Sequence, residues 1–207
     1  MAKQLAFYID TSACGNCKTC QVACKDKNNL PVGVLWRRVH QYGGGGWKRQ
    51  HGYFLPEKVF SYGVTVSCMH CAKPACMKAC EFGAITKRAD GIVLVDQKKC
   101  TGCGECKTAC PYGAPQFYGA DKLMSKCNFC EDLLAKGENP ACVDACPMRA
   151  LGFGELSELQ AKFGNLQAIE PLPKATITQP SVVITPHKDA QISGEGNGRI
   201  LDLVQSL

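Results

Sequence analysis

The cysteines constrain the fold of this chain more than any other feature of its sequence. All 16 lie between Cys14 and Cys146 of a 207-residue chain, and they divide into four groups of four with none left over. Each group ends in a C-x3-C step. In chain order the groups are Cys14, Cys17, Cys20 and Cys24; Cys68, Cys71, Cys76 and Cys80; Cys100, Cys103, Cys106 and Cys110; and Cys127, Cys130, Cys142 and Cys146.

The third group, followed by Pro111, has the spacing C-x2-C-x2-C-x3-C-P. Bacterial ferredoxins use this run to hold one [4Fe-4S] cluster with three thiolates, while the fourth thiolate ligates a neighbouring cluster. Two intervening residues let a turning backbone direct successive sulfurs to different irons of one cube, whereas the x3 step begins a helix that carries the last sulfur away. The spacing therefore predicts iron–sulfur clusters.

Disulfide bonds and structural zinc are the alternative uses of these cysteines. A disulfide framework is typical of short secreted chains, and bridges within C-x2-C-x2-C are strained. Zinc sites usually combine two C-x2-C pairs about 12 to 20 residues apart. Only the fourth group, with its long gap between Cys130 and Cys142, resembles that pattern. Iron–sulfur ligation accounts for all four groups, so we favour it.

The chain has 24 basic and 18 acidic residues, a formal net charge of +6 with neutral cysteines. Such an excess is compatible with a nucleic-acid or anionic-surface partner. Four oxidised cubane clusters, each about −2 with its four thiolates, would lower the total to about −2. We therefore interpret the basic excess as internal counter-charge and expect no nucleic-acid partner.

Short strands and helices are expected beside the cysteine groups. An apolar run predicts a strand over 5–10, which leads into the first group and a helix from about Lys18. Residues 83–87 and 91–96 flank an Asp90-Gly91 turn and predict a hairpin. This hairpin leads into the third cysteine group, as the strand over 5–10 leads into the first.

Outside the cysteine groups the sequence indicates less regular structure. Residues 41–58, which include four consecutive glycines, are interpreted as a mobile loop or partner contact. A helix is expected over 155–163, ended by Gly164. The proline-interrupted stretch that follows, including 181–185, is expected to lie as an arm over another subunit. Residues 199–207 form either a short apolar helix that needs a partner or a frayed tail.

Strand, cluster loop, short helix and strand make up the ferredoxin unit, which carries two clusters. Four cysteine groups therefore predict an α+β, loop-rich fold of two duplicated bacterial-ferredoxin-like 2x[4Fe-4S] units with an extended C-terminal arm. The spacing does not decide which groups share clusters. Adjacent pairing joins the first group with the second and the third with the fourth, whereas nested pairing joins the second with the third inside the first with the fourth.

No catalytic residues stand out in the sequence. It has no Ser/His/Asp, H-E-x-x-H or Gly-rich dinucleotide pattern, and its four histidines are scattered. His70, inside the second group, is either a hydrogen-bond donor to a cluster sulfur or a proton route, or else a loop histidine in contact with solvent. With every cysteine used as a ligand, no coordination site stays open. The chain is therefore predicted to be a non-catalytic electron-transfer protein.

The sequence predicts neither a membrane span nor an export signal of its own. Its longest uninterrupted apolar run, Leu5–Ile9, is far shorter than the roughly 20 residues that cross a bilayer. The N-terminus lacks a charged region followed by an apolar stretch and a small-residue cleavage site. A function outside the cytoplasm would therefore require export together with a partner protein.

Over residues 5–187 the sequence resembles the iron–sulfur electron-transfer subunits of the dimethyl sulfoxide reductase family, which are four-cluster ferredoxin-like subunits of molybdopterin oxidoreductases. The resemblance rests on YIDTSACGNCKTCQVACKD, SCMHCAKPACMKAC, CTGCGECKTACPYGAPQFY, KCNFCEDLLAKGENPACVDACPMRAL and the PLPKA turn. One departure is Glu81 after Cys80, where relatives often have proline, and it changes a loop without removing a ligand. Some relatives have tryptophan at the position of Cys103 and carry a three-iron cluster, so the resemblance implies four [4Fe-4S] clusters here.

The resemblance implies the nested scheme. It predicts an outer unit of residues 1–58 plus 119–154, an inner unit of residues 59–118, and a helix and arm for subunit contact over 155–207. By the same analogy the Cys14 cluster lies nearest the molybdenum subunit and the Cys127 cluster at the far end of the relay. The implied ligand sets are Cys14, Cys17, Cys20 and Cys146 for cluster 1; Cys68, Cys71, Cys76 and Cys110 for cluster 2; Cys100, Cys103, Cys106 and Cys80 for cluster 3; and Cys127, Cys130, Cys142 and Cys24 for cluster 4.

The resemblance also implies the partners, a bis-pyranopterin molybdenum (molybdopterin) catalytic subunit and an integral membrane quinol-oxidising subunit. The chain is then expected to relay electrons between them in anaerobic respiration with an S- or N-oxide acceptor. It would be peripheral to the inner membrane, on the periplasmic face if co-exported with a catalytic subunit that has a twin-arginine signal, or in the cytoplasm. The alternatives are a soluble molybdopterin complex of formate or aromatic-hydroxylating type and, from a different class, a zinc-stabilised scaffold or nucleic-acid-binding protein.

Overall fold

The first strand of the protein is the centre of a three-stranded sheet. The computed structural model describes residues 3–119 and 122–202. Strand β1 (Leu5–Asp10) pairs antiparallel with a strand at Leu151–Glu155 and parallel with one at Val182–Thr185. Its apolar residues enter the main hydrophobic core, as Phe7 and Ile9 are both buried. The strand predicted over 5–10 is therefore confirmed, and its position ties the N-terminus to two segments near the other end of the sequence.

A long hairpin replaces the loop expected over 41–58. Strands β2 (Arg38–Gln50) and β3 (Tyr53–Val66) pair antiparallel along their whole length, with a bulge between Gly44 and Gly46. At Gly45 the backbone has φ +93°, and a Cβ there would lie 2.3 Å from the carbonyl oxygen of Lys58. The glycine run thus permits close approach of two strands at the bulge, and the loop prediction is wrong.

Most remaining elements are short and flank the cysteine loops. The hairpin predicted around Asp90-Gly91 is confirmed, although its strands are only three residues long. The helix predicted from about Lys18 begins at the next residue. These elements are α1 (Thr19–Lys27), α2 (Ala75–Lys78), β4 (Ile85–Lys87), β5 (Val93–Val95), α3 (Glu105–Ala109), β6 (Gln116–Tyr118), β7 (Leu123–Ser125), α4 (Glu131–Leu134) and α5 (Ala141–Asp144).

The C-terminal segment folds back onto the rest of the protein. Strand β8 (Leu151–Glu155) leads into α6 (Leu156–Phe163), the helix predicted over 155–163, and the chain returns as β9 (Val182–Thr185) beside β1. The apolar side chains of β9 are almost inaccessible to solvent. The expectation that 181–185 lies over another subunit is therefore wrong, because Pro180 and Pro186 flank the strand and leave its ladder hydrogen bonds intact.

Arg199 and Ile200, the first residues of the segment considered as a helix or a frayed tail over 199–207, form a short strand. β10 (Arg199–Ile200) pairs antiparallel with β2, and residues 203–207 lie outside the described part of the chain. Between residues 3 and 202, gaps aside, no helix is long and apolar enough to cross a membrane.

Mixed helix and strand confirm the α+β class. Two of the predicted unit boundaries fall at paired strands. The boundary at 58/59 falls inside β3, which forms a ladder with β2. The boundary at 118/119 falls where β6 ends, within the hairpin that β6 forms with β7. The division into an outer and an inner unit stays a prediction.

Candidate metal centres

The first cysteine loop closes over a cavity beside β1. Cys14, Cys17 and Cys20 line it from one side and Cys146 from the other, and it encloses about 370 Å³ of empty space including its mouth. Apolar side chains such as those of Ile9 and Leu151 complete its walls. Cys17 is exposed, and its sulfur accepts a hydrogen bond from the Thr19 hydroxyl over 3.2 Å, which lowers the pKa of the Cys17 thiol.

A second cavity lies between the second and third groups. It is lined by Cys68, Cys71, Cys76 and Cys110 and encloses about 340 Å³ including its mouth. Burial raises the pKa of Cys71 and of Cys76 to about 12. Burial alone therefore favours the neutral thiol, and a metal that binds the thiolate has to offset that cost.

The third cavity combines the remaining cysteines of the same two groups. It is lined by Cys80, Cys100, Cys103 and Cys106, and it encloses about 300 Å³ including its mouth. Apolar residues such as Ile85 and Met124 form much of its wall. Cys103 is exposed, whereas Cys106 is buried and its pKa is raised by that burial to about 11.

The four remaining cysteines, Cys24, Cys127, Cys130 and Cys142, lie close enough to influence one another. Helix α1 carries Cys24 and packs against α5, which carries Cys142. Burial raises the pKa of Cys24 to about 12, and the charges of Cys142 and Cys130 act in the same direction. All four thiols are buried, so this set has no exposed member.

Twelve of the 16 cysteines therefore line three cavities in sets of four, and the remaining four affect one another's pKa. The ligand sets that the family resemblance implies have the same members and stay a prediction. Each set takes three cysteines from one group and one from another. Sulfur donors among apolar side chains are the donor chemistry that iron–sulfur clusters require. The donor sets fit such clusters, and both their number and their assignment to the sets stay predictions.

Two buried cations lie among these sets, and sequence analysis did not single them out. Arg37 is 1% exposed, with its guanidinium carbon 4.6 Å from the centre of the Phe7 ring. Lys126 is 4% exposed and lines the second cavity. Its ammonium donates hydrogen bonds to the carbonyl oxygens of Val93 and Cys127. The interpretation of the basic excess as internal counter-charge was the signal that pointed toward such residues.

His70, the histidine inside the second group, is buried rather than in contact with solvent. Its ring packs edge-on to Phe129, with centroids 5.2 Å apart. Burial holds its pKa well below the usual histidine range, and the nearby charges of Lys126, Lys87 and Arg37 lower it further. The burial of His70 makes the solvent-facing alternative wrong. The ring is neutral, which weakens the interpretation of His70 as a proton route.

Comparison with known proteins adds independent information. Residues 59–156 match the model of the 4Fe-4S dicluster domain. The protein is 46% identical over 198 residues to a chain of the anaerobic dimethyl sulfoxide reductase of Shigella flexneri, a match that covers 96% of both sequences. It is 36% identical over 193 residues to a chain of the polysulfide reductase of Wolinella succinogenes, covering 91% of this sequence and 97% of the relative. It is also 37% identical over 174 residues to a formate dehydrogenase iron–sulfur subunit of Wolinella succinogenes, covering 73% and 82%.

Proposed function

Because the protein belongs to the iron–sulfur subunits of the dimethyl sulfoxide reductase family, we propose that it relays electrons between a molybdopterin catalytic subunit and a quinone-linked membrane subunit. The protein is itself a non-catalytic electron-transfer subunit. In this proposal it holds four [4Fe-4S] clusters, each of which supplies one-electron redox chemistry when bound.

One observation carries the proposal: all 16 cysteines fall into four spatial sets of four. Adjacent pairing would instead have joined the Cys14 loop with Cys80, which lines a different cavity. The proposed ligands are therefore the nested sets. They are Cys14, Cys17, Cys20 and Cys146; Cys68, Cys71, Cys76 and Cys110; Cys80, Cys100, Cys103 and Cys106; and Cys24, Cys127, Cys130 and Cys142.

The exposed cysteines suggest where electrons enter and leave. Cys17 and Cys103 are the two exposed members of the 16, and they belong to the first and third sets. We therefore assign the ends of the relay to these two sets, with the first facing the catalytic subunit and the third facing the membrane subunit. This revises the sequence-based expectation that the Cys127 cluster ends the relay, because that set is buried throughout.

Apolar surface accompanies both proposed ends of the relay. Met148 lines the first cavity and is 54% exposed, while Phe82 lines the third cavity and is 51% exposed. Phe117 is also exposed and lies near the loop that holds Cys103, with a Cβ built on Gly104 only 3.2 Å from its ring. Apolar side chains at a surface cysteine are suited to a protein–protein contact that shortens the electron-transfer distance.

The relatives are named for different reactions. Two are named for dimethyl sulfoxide and polysulfide reduction and match nearly the whole sequence, whereas the relative named for formate dehydrogenation matches a smaller share. We therefore propose an S- or N-oxide acceptor in anaerobic respiration, and a soluble formate-type complex is the alternative. The proposed location is peripheral to the inner membrane, on the periplasmic face by co-export with the catalytic subunit.

The proposal is tested by iron, zinc and acid-labile sulfide content of anaerobically purified protein, with electron paramagnetic resonance (EPR) after dithionite reduction. We expect about 16 iron and 16 sulfide per chain with spin-coupled cubane signals. About four zinc per chain without sulfide would instead make the cysteines a structural framework and overturn the proposal. Copurification identifies the partners. A molybdenum subunit together with a membrane subunit indicates the respiratory complex, whereas a molybdenum subunit alone indicates the soluble alternative.

A further inference from the structure

Arg37 is a buried cation without a carboxylate partner. Its side chain is 1% exposed, and among residues 3–119 and 122–202 no acidic group forms an ion pair with it. Nη1 donates a hydrogen bond to the Thr65 hydroxyl over 3.0 Å, and Nη2 has no hydrogen-bond partner within the described residues. Burying an uncompensated guanidinium is strongly unfavourable, so other negative charge has to offset it.

Arg37 lies next to the helix that serves two cysteine sets. Helix α1 carries Cys20 of the first set and Cys24 of the fourth, and both are buried. Gln21 of the same helix accepts a hydrogen bond over 3.2 Å from the Val39 N–H, two residues after Arg37. Ligating thiolates on this helix are therefore the nearby source of negative charge.

Thr65 connects Arg37 to one of these sets only. Its hydroxyl oxygen lies 3.0 Å from Arg37 Nη1 and 3.8 Å from Cys20 Sγ. A guanidinium has donors and no acceptor, so the Thr65 oxygen must accept from Arg37. The hydroxyl hydrogen is then free to point at the sulfur, which accepts it as a ligating thiolate. Arg37 thus fixes the direction of a hydrogen bond from Thr65 to Cys20.

We propose that Arg37 and Thr65 together raise the reduction potential of the first cluster, Arg37 through its buried charge and Thr65 through the hydrogen bond to Cys20 that Arg37 orients. Reduction of a cluster adds one negative charge, so a buried cation stabilises the reduced state more than the oxidised state. A hydrogen bond to a ligand sulfur acts in the same direction. This inference rests on the proposed function, because it requires a cluster on the first cysteine set.

The decisive test replaces Thr65 by valine, which has nearly the same shape without the hydroxyl, and by serine, which keeps it. Midpoint potentials of each cluster are measured by EPR-monitored redox titration of the intact complex, with the first cluster's signal assigned from a Cys17→Ser variant. Thr65→Val should lower the potential of the first cluster and leave the fourth near its wild-type value. Thr65→Ser should leave both near wild type.

Arg37→Met provides a second, independent arm of the test. It should lower the potential of the first cluster by more than Thr65→Val does, because it removes the buried charge and the Thr65 hydroxyl also loses its fixed direction. The role of Thr65 would be overturned if the first cluster kept its wild-type potential in Thr65→Val. It would also be overturned if Thr65→Ser shifted that potential as much as Thr65→Val does. If Arg37→Met does not assemble, Arg37→Gln replaces it, because glutamine keeps a donor for the Thr65 oxygen without the charge. An unshifted potential of the first cluster in that variant would overturn the role of the charge.

The wild-type titration separates this proposal from the proposed function. A wild-type protein without acid-labile sulfide would overturn both. Four cubane signals in the wild type together with unshifted potentials in the variants would overturn only the roles of Arg37 and Thr65.

Discussion

His70 accepts a hydrogen bond at Nδ1 from the backbone N–H of Val93 over 3.0 Å, which joins the second cysteine loop to strand β5. Because Nδ1 is the acceptor, the proton of the neutral ring lies on Nε2. Nε2 has no hydrogen-bond partner among the described residues. The described contacts of His70 are therefore those of a residue that holds the cysteine loop in place.

Removing this acceptor should destabilise the protein. His70→Ala leaves the buried N–H of Val93 unsatisfied, at a cost of about 1–3 kcal/mol in the free energy of unfolding. Asparagine can present an acceptor near the position of Nδ1 and tolerates the backbone at this residue, where φ is +41°. We expect His70→Asn to lose clusters in denaturant more slowly than His70→Ala, followed by visible absorbance. Equal rates for the two variants would show that the hydrogen bond is unimportant.

The nested ligand scheme predicts which cluster depends on Cys24. Cys24→Ser should damage the cluster held by Cys127, Cys130 and Cys142 and leave the Cys14 cluster largely intact, although Cys24 belongs to the same sequence motif as Cys14. Iron content should fall by about one to four atoms per chain. EPR of the reduced variant identifies the cluster that is lost. Loss of the Cys14 cluster with the Cys127 cluster retained would contradict the scheme.

The exposed aromatic residues near Cys103 should matter for docking at the membrane end. Phe82→Ser combined with Phe117→Ser should weaken electron delivery from quinol by several-fold without changing iron content. Reduction by a small soluble donor should stay near the wild-type rate, because the catalytic end is unchanged. Ile192→Ser is the matched control, since Ile192 is 60% exposed and does not line the third cavity. A fall in both activities would point to damage rather than docking.

Two isoleucines test whether the C-terminal segment belongs to the core. Ile184 in β9 is fully buried, whereas Ile177 in the preceding loop is 57% exposed. Ile184→Ala should lower the free energy of unfolding by about 2–5 kcal/mol, and Ile177→Ala should change it by about 0.5 kcal/mol or less. Denaturant midpoints of the two variants measure the difference. Similar midpoints would place β9 outside the cooperative unit.

Asp202 anchors the end of the described residues to the first cysteine loop. Its carboxylate accepts a hydrogen bond from Lys18 Nζ over 2.9 Å and one from the Gln41 N–H over 3.0 Å. Burial raises the pKa of Asp202, but these donors outweigh burial and hold it below the usual aspartate range. The pairing therefore stabilises the protein above the ordinary aspartate pKa and is lost as pH falls through the lowered value.

At neutral pH, Asp202→Asn should loosen this contact by less than about 1 kcal/mol, because the ion pair is partly exposed. Hydrogen exchange at the Leu201 amide, which bonds to Gln41, should accelerate by up to about five-fold. Asp189→Asn, which removes a carboxylate outside this contact, should leave the Leu201 amide at its wild-type rate. If the Leu201 amide also exchanged at the wild-type rate in Asp202→Asn, Asp202 would not anchor this segment.

Local patterns predicted the elements that depend on nearby residues. The β1 strand and the α6 helix were found because their apolar periodicity is complete within one segment. The β2–β3 hairpin was missed because four consecutive glycines and Pro56 lower strand propensity, whereas the ladder is formed by pairing with a partner strand. Strand β9 was missed for a related reason, since its only partner is the distant β1.

The cysteines were predicted as ligands because their spacing is itself chemical information, whereas the cations beside them were not. Nothing in the sequence distinguishes Arg37 from Arg38 next to it, and charged residues are rarely buried. Only the fold shows that Arg37 lies inside and is surrounded by thiols. Residues that act on a site without ligating it therefore need the three-dimensional structure to be found.

The central position of β1 fixes the order in which the protein can mature. β1 is synthesised before its two neighbouring strands, β8 and β9, which follow it by well over 100 residues. Cys146, which faces the Cys14 loop across the first cavity, likewise follows that loop by most of the sequence. The sheet around β1 can therefore close only after β9 has been synthesised, and the first cavity only after Cys146. A cluster with the proposed ligands cannot be completed at this site before then.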